Sequence, residues 1–275
     1  MPMTSASCHA SAAPALFLDF DGTLVDIAPA PDAVRVDPAL PGVLHAIAER
    51  LGGALAIVTG RPVDVVDRYL APHRFDVAGL HGAVIRVAGR DIAEPAITPS
   101  FRAEVARLAD GARPLPGLIV EDKGASVAVH WRLAPEFRPA AEGLARTALA
   151  ALGPEWRLQT GKAVLEIVRA GTGKGRAIAR LLTEPPYEGR TAVFIGDDDT
   201  DEQGFAEVLA RGGLAVRVGD GETRAPLRVS GPAALAILLR RWAETGQCPF
   251  PLPGAANDET MPFRSERPMG DMTDD

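Results

Sequence analysis

Strand-like and helix-like stretches alternate from residue 15, lose that rhythm near Pro99, and recover it from 171 to 245. The run "ALFLD" at 15–19 is continuously apolar until its terminal Asp19, as a strand buried on both faces would be. "PALPGVLHAIAERL" then places apolar residues at 40, 43, 44, 47, 48 and 51, the spacing of an amphipathic helix. "GALAIVTG" at 53–60 is a second buried strand, and Pro62 suits the first turn of a helix through Tyr69. "FDVAGLHGAVIRV" supplies a third strand and its turn. Such alternation predicts a parallel sheet with helices on both faces.

The middle of the chain obeys another pattern. "SFRAEVARLADGA" and "PEFRPAAEGLARTALAALG" are helical, while "GLIVEDKGASVAVHWR" and "EWRLQTGKAVLEIV" read as hairpins, the second turning at Gly161-Lys162. Helix, hairpin, helix, hairpin predicts a small antiparallel sheet with helices on one face. Alternation returns with "GTGKGRAIARLL", "TAVFIGDDDTDEQGFAEVLAR", "GLAVRVG" and a last amphipathic helix, "GPAALAILLRRWAE". The predicted fold is therefore α/β: a parallel-sheet core of residues 14–98 and 171–245, interrupted by an inserted α+β domain at 99–170. Residues 1–13 are expected to be a flexible terminus, and 246–275, rich in Pro, Gly and charge, a tail that is flexible or draped over the surface.

The formal net charge of −7 argues against a non-specific nucleic-acid binder or an anionic-membrane binder. Cys8 and Cys248 form neither a disulfide framework nor a metal-type spacing. "MPMTSASCHASAAP" has no basic start and no apolar core, so it is not read as a secretory signal, and the expected compartment is the cytoplasm. Arg supplies nearly all the basic residues. The three lysines, Lys123, Lys162 and Lys174, all fall in or beside motifs that matter below.

In open parallel sheets, ligands bind at the carboxyl ends of the strands. Four groups are predicted there: Asp19 with Asp21 in "FLDFDGTLVD", Thr59-Gly60-Arg61, Gly173-Lys174-Gly175, and the acidic run "GDDDTDE" at 196–202. Singly, each has an ordinary explanation as a turn, a strand-to-helix connection or a helix cap. Together, the mutual repulsion of so many carboxylates calls for a cation. "GTGKG" is not a Walker loop, because Val168 stands where its first Gly belongs and Gly175 where its Ser or Thr belongs. It reads instead as a lysine delivered to a phosphate at a helix start.

In this order the motifs resemble the haloacid dehalogenase superfamily of phosphohydrolases, from Asp19 through Asp201. The resemblance implies a Rossmann-like core with an inserted cap, an Mg²⁺ cofactor and an aspartyl-phosphate intermediate. It implies that Asp19 attacks phosphorus and that Asp21 protonates the leaving oxygen and then activates water. Thr59 would bond the phosphoryl oxygens and Lys174 would neutralise them. Asp19, Asp197 and the Asp21 carbonyl would bind the metal, with Asp198 and Asp201 behind them. The physics agrees: like charges about 4 Å apart cost about 4 kcal/mol at intermediate dielectric, so a carboxylate needs help to approach a phosphate dianion.

Within that superfamily the chain is similar to the trehalose-6-phosphate phosphatases, through "DFDGTLVDIAPAPDAV", "TGRP", "GLHGA", "VEDKGASVAVHWR", "GKAVLEI" and "GDDDTDE". This implies trehalose 6-phosphate as the small-molecule substrate and a functional pairing with a trehalose-6-phosphate synthase. It also implies substrate contacts from Gly60, Arg61, Glu121, Lys123, His130, Arg132 and Glu166. Carboxylates and a lysine are a sensible set for sugar hydroxyls. His81 is expected to support the core turn. Two departures stand out: Val84 where an acidic residue is common after "GLHGA", and Gln203-Gly204 after the acidic run. The competing readings are a phosphatase for sucrose phosphate, mannosyl-3-phosphoglycerate or a hexose phosphate, a phospho-accepting regulatory domain, and a catalytically silent homologue.

Overall fold

A computed structural model describes residues 13–28, 33–93 and 97–253. Cys8 and most of the termini expected to be flexible lie outside the described residues.

Apolar runs form the centre of a large sheet: β1 (Ala15–Leu18), β2 (Leu55–Val58), β10 (Ala192–Gly196) and β11 (Leu214–Val218) are buried along their whole length. A strand buried on alternate sides at every residue must be covered on both faces. Two helix pairs do this: α1 (Leu40–Arg50) with α7 (Pro232–Thr245), and α5 (Lys174–Leu181) with α6 (Glu202–Ala210). A shorter helix, α2 (Val63–Tyr69), packs on β3 (Asp76–Gly79). Among the described residues the sheet has eight strands in the order β12-β11-β10-β1-β2-β3-β4-β5, with β12 at Leu227–Val229, β4 at Val84–Val87 and β5 at Arg90–Ala93. From β12 to β3 it is parallel, whereas β4 and β5 add an antiparallel edge. The sheet is thus mostly rather than wholly parallel, because Leu80–Gly82 makes a tight 3₁₀ turn that reverses the chain directly onto β3.

The second sheet is antiparallel, in the order β6-β7-β9-β8, with β6 at Ile119–Asp122, β7 at Val127–His130, β8 at Trp156–Gly161 and β9 at Val164–Arg169. Helices α3 (Pro99–Ala112) and α4 (Arg138–Leu152) pack on it, burying Val127, Val129, Leu165 and Ile167 against Phe101, Leu108 and Ala145. Period-two alternation sends Glu121, Ala128, Glu166 and Gln159, which lie in one row of the ladder, to the opposite face. The β8–β9 turn comes one residue later than the sequence suggested. Gly161 is the last paired residue, and Ala163 takes the left-handed φ of 62°.

The start of the tail is draped over the core rather than loose. Beyond the left-handed cap at Gly246, Phe250 is 2% exposed in the main core and Cys248 packs beside it. One aromatic side chain can anchor a Pro-rich segment that composition alone reads as loose. Among the described residues, no helix is long and apolar enough to cross a membrane.

Candidate active site

β1 lies between β2 and β10, so the chain leaves the sheet in opposite directions on its two sides, and a crevice opens at their carboxyl ends. Asp19 follows β1, Thr59 follows β2, Asp197 follows β10, and Lys174 opens α5. The turn after β1 is held by Gly22 N–H donating to Val25 O (2.7 Å) and Leu24 N–H to Phe20 O (2.9 Å). Gly22 is needed twice over. Its φ is +82°, and a Cβ there would lie 2.2 Å from Asp197 Oδ2.

At the floor, Lys174 Nζ donates to Asp19 Oδ1 and Asp201 Oδ1, both at 2.7 Å, with all three side chains buried. Asp201 Oδ2 accepts from the N–H groups of Asp197 (2.9 Å) and Asp198 (3.0 Å), which ties the acidic turn together. Thr23 Oγ1 sits 3.4 Å from both Asp19 Oδ2 and Asp197 Oδ1. Asp198 accepts from the backbone and hydroxyl of Thr200 (2.8 and 2.7 Å). Burial works to raise Asp198, but Lys174 and these two donors hold it at about 2. Asp19 goes the other way. Burial drives its carboxyl well above the ordinary range, Lys174 opposes this, and Asp201, Asp197 and Asp198 add to it. Burial would lower Lys174, yet Asp19 and Asp201 keep it charged, well above its ordinary value. One buried ammonium thus serves more carboxylates than it can neutralise.

Ligand oxygens of Asp19, Asp197 and Asp201 lie within 4.8 Å of one another. Asp201 is spent on Lys174 and two backbone donors, which leaves Asp19 and Asp197 with capacity for a cation. Buried oxygen donors with excess negative charge suit a hard divalent ion.

The other side of the cleft comes from the second sheet. Lys123 Nζ donates to Glu166 Oε2 (2.9 Å) and reaches across to Gly60 O (3.2 Å). Glu166 also accepts from Ser126 Oγ (2.6 Å) and lies 3.3 Å from His81 Nε2. His130 and Glu121 pair at 2.8 Å. Arg132 bonds two carbonyls, Ala28 O across the cleft and Lys162 O at 2.9 Å in its own sheet. Arg61 is engaged elsewhere: Nε and Nη2 fork onto Asp21 at 2.6 and 2.7 Å. Thr59 Oγ1 accepts from Arg61 N–H at 3.2 Å. Every residue expected at the site lines this one cleft except Asp201, which stands behind Lys174.

Sequence reasoning missed several partners. Lys162, expected only as a rare lysine in a hairpin turn, donates to Asp197 Oδ2 at 3.0 Å from the β8–β9 turn. His81 pairs with Glu166, and its Nδ1 has no hydrogen-bond partner among the described residues. The glycine before β4 and the rarity of lysine were the available signals; the distances were not. The two departures have structural uses. Val84 joins Leu80 and Ala83 against Ala125 of the β6–β7 turn, an apolar contact across the cleft. Gly204 lets α6 close on Phe194, where a Cβ would meet the ring at 2.3 Å.

Glu166 provides a pH test of this network. Burial would raise its carboxyl, but Lys123, His81 and Ser126 overcome that and hold it far below the ordinary 4.5. A depressed acid contributes stability above the unfolded value and loses it as pH falls through the folded one. Glu166→Gln is therefore expected to cost about 3 kcal/mol at pH 7. In urea melts, the gap to wild type should narrow as pH falls from about 5 toward 2. A gap of constant size would deny the charge any part in it.

The trehalose-phosphatase family profile matches residues 17–231. A probable trehalose-phosphate phosphatase of Sinorhizobium fredii is 45% identical over 223 residues, covering 81% of this chain and 84% of that one. The trehalose-6-phosphate phosphatase of Escherichia coli K12 is 40% identical over 222 residues, covering 80% and 83% respectively. Among solved structures, one described as a trehalose-6-phosphate phosphatase related protein superposes with a TM-score of 0.70 at 28% identity, over 84% of this chain and 97% of that one.

Proposed function

The chain belongs to the trehalose-phosphatase family and is a phosphoric monoester hydrolase, and we propose that it releases phosphate from trehalose 6-phosphate with Mg²⁺ as cofactor. The observation that carries this reading is Lys174, shared at 2.7 Å between Asp19 and Asp201 beneath a cleft walled by Glu121, Lys123 and Glu166. The floor is built to hold a phosphoryl group, and the wall offers the donors and acceptors a sugar needs.

In this proposal Asp19 attacks phosphorus and carries the phosphoryl group as a mixed anhydride. Asp21 gives a proton to the departing sugar oxygen and later takes one from water. Thr59 and Lys174 stabilise the charge on the transferring oxygens. Mg²⁺, held by Asp19, Asp197 and the Asp21 carbonyl, would supply charge neutralisation between nucleophile and ester. Asp198 and Asp201 orient the acidic turn and Lys174 rather than the ester. Residues 99–170 serve as the cap, with Lys123 and Arg132 reaching from it to Gly60 O and Ala28 O of the core. Glu121, His130 and Glu166 face the sugar; Gly60 shapes the turn beside it, where a Cβ would meet His81 Nε2 at 2.5 Å.

We place the enzyme in the cytoplasm, where a charged sugar phosphate is retained. A trehalose-6-phosphate synthase is the partner reaction we propose. A Thermoproteus tenax relative, 32% identical over 234 residues, is a bifunctional trehalose-6-phosphate synthase/phosphatase. The test is phosphate release from trehalose 6-phosphate, sucrose 6-phosphate and glucose 6-phosphate, each with and without Mg²⁺. Metal-dependent preference for the first is expected. Preference for another ester would keep the core chemistry and overturn the substrate, and no release from any would overturn both.

A further inference from the structure

We propose that Arg61 positions Asp21 for proton transfer at the leaving oxygen, and is not a ligand of the substrate. The inference deepens the phosphatase reading and rests on it. Arg61 Nε donates to Asp21 Oδ2 at 2.6 Å and Nη2 to Oδ1 at 2.7 Å, a planar two-point grip that fixes the plane of the carboxylate. The guanidinium rests beside a stacked pair of rings, 5.7 Å from the centroid of Phe20 and 5.4 Å from that of Tyr69, which are 5.9 Å from each other. Its backbone is tied at both ends, with Arg61 N–H donating to Thr59 Oγ1 at 3.2 Å and Leu80 N–H to Arg61 O at 3.1 Å.

Exposure divides the pair. Both residues line the cleft, but the Arg61 side chain is 12% exposed and that of Asp21 is 34% exposed, so the carboxylate is the more open of the two. The fork spends the Nε–H and one Nη2–H on Asp21, so binding a phosphate or a sugar through that edge would mean abandoning both oxygens. Each carboxylate oxygen has two lone pairs, and the fork uses one of each. The remaining two are free for the reaction. In the first step the bond between phosphorus and the sugar oxygen breaks, an Asp19 oxygen bonds to phosphorus, and the proton of Asp21 moves to the sugar oxygen. In the second, water bonds to phosphorus, the bond from phosphorus to Asp19 breaks, and the proton lost by water goes to Asp21. The cycle closes with no net change in either carboxylate, and both transfers need the same orientation of Asp21.

Leaving-group chemistry separates positioning from binding. A sugar alkoxide must be protonated as it leaves, whereas p-nitrophenolate departs without a proton. For Arg61→Met, kcat on trehalose 6-phosphate should fall about 100-fold or more with KM nearly unchanged. On p-nitrophenyl phosphate the variant should show a burst of nitrophenol matching the enzyme concentration, then slow turnover, because only hydrolysis of the aspartyl phosphate needs the proton acceptor. Arg61→Lys should behave alike, since an ammonium cannot hold both oxygens in one plane, and it carries the test if the methionine variant does not fold. In an Asp21→Asn background, Arg61→Met should change the burst and the slow phase by less than about twofold. A raised KM for trehalose 6-phosphate with kcat intact would make Arg61 a substrate ligand and overturn the proposal. So would equal losses on both esters without a burst, additive with Asp21→Asn. If wild type ignores trehalose 6-phosphate yet the burst appears in the variant, the substrate reading fails and the positioning role stands.

Discussion

Asp19→Asn should reduce phosphate release by roughly four orders of magnitude or more while making the metal-free protein more stable, not less. The first half follows from the proposed chemistry, because an amide oxygen cannot form the phosphoryl intermediate. The second half follows from the environment. Asp19 is 4% exposed and its carboxyl is driven upward by burial against Lys174, with Asp201, Asp197 and Asp198 adding to the rise. An acid whose folded pKa is raised binds more protons folded than unfolded, so it subtracts stability as pH climbs. Asparagine removes that cost and keeps an oxygen for the Lys174 bond, now made at 2.7 Å to Oδ1.

The gain should be about 1–2 kcal/mol near pH 8 and should vanish below about pH 4, where the wild-type carboxyl is protonated in both states. Thermal melts at several pH values without divalent ion would show it, and added Mg²⁺ should stabilise wild type more than the variant. Near-native phosphate release by carefully purified Asp19→Asn would remove the nucleophile assignment. A variant less stable than wild type at every pH would mean that pairing with Lys174 outweighs burial.

The parts of this protein legible in its sequence are those whose physics is local. β1, β2 and β10 declare themselves as unbroken apolar runs because both their faces are covered. Glu121 and Glu166 fall in stretches that read as hairpin strands, and the ladder puts them in one row with Ala128 between, while Lys123 lies just past the end of β6. What was not legible depended on closure of the chain in space. The edge strands β5 and β12 are short and partly exposed, so their pattern is too weak to distinguish from loop. Arg61 and Asp21 are 40 residues apart, and nothing local says that the guanidinium grips this carboxylate. Lys162 is a turn residue of one sheet whose partner, Asp197, belongs to the other. A motif names the chemistry; the company each charge keeps has to come from the fold.

Lys174→Met should lose stability as well as activity, and the two losses should respond differently to acid and to Mg²⁺. The side chain is 3% exposed and donates to Asp19 and Asp201, so its removal strands two buried carboxylates. Breaking a buried pair in this way costs about 3–5 kcal/mol, here on the order of 10 °C in melting temperature. Lys174 itself is held well above its ordinary 10.5, so its contribution is fully present at neutral pH and is lost only in strong alkali. The deficit in the variant instead belongs to Asp19 and Asp201, and protonating them should shrink it as pH falls from about 8 toward 5. Mg²⁺ should recover part of the stability by neutralising Asp19, without recovering turnover, because the charge on the transferring oxygens still lacks its partner. Lys174→Arg should not rescue, since the buried place between Asp19 and Asp201, 2.7 Å from each, is sized for an ammonium and not for a planar guanidinium. If the methionine variant proves inactive but as stable as wild type at pH 8, the ammonium's own burial cost cancels its two ion pairs, and its place in the fold is owed to phosphoryl transfer alone.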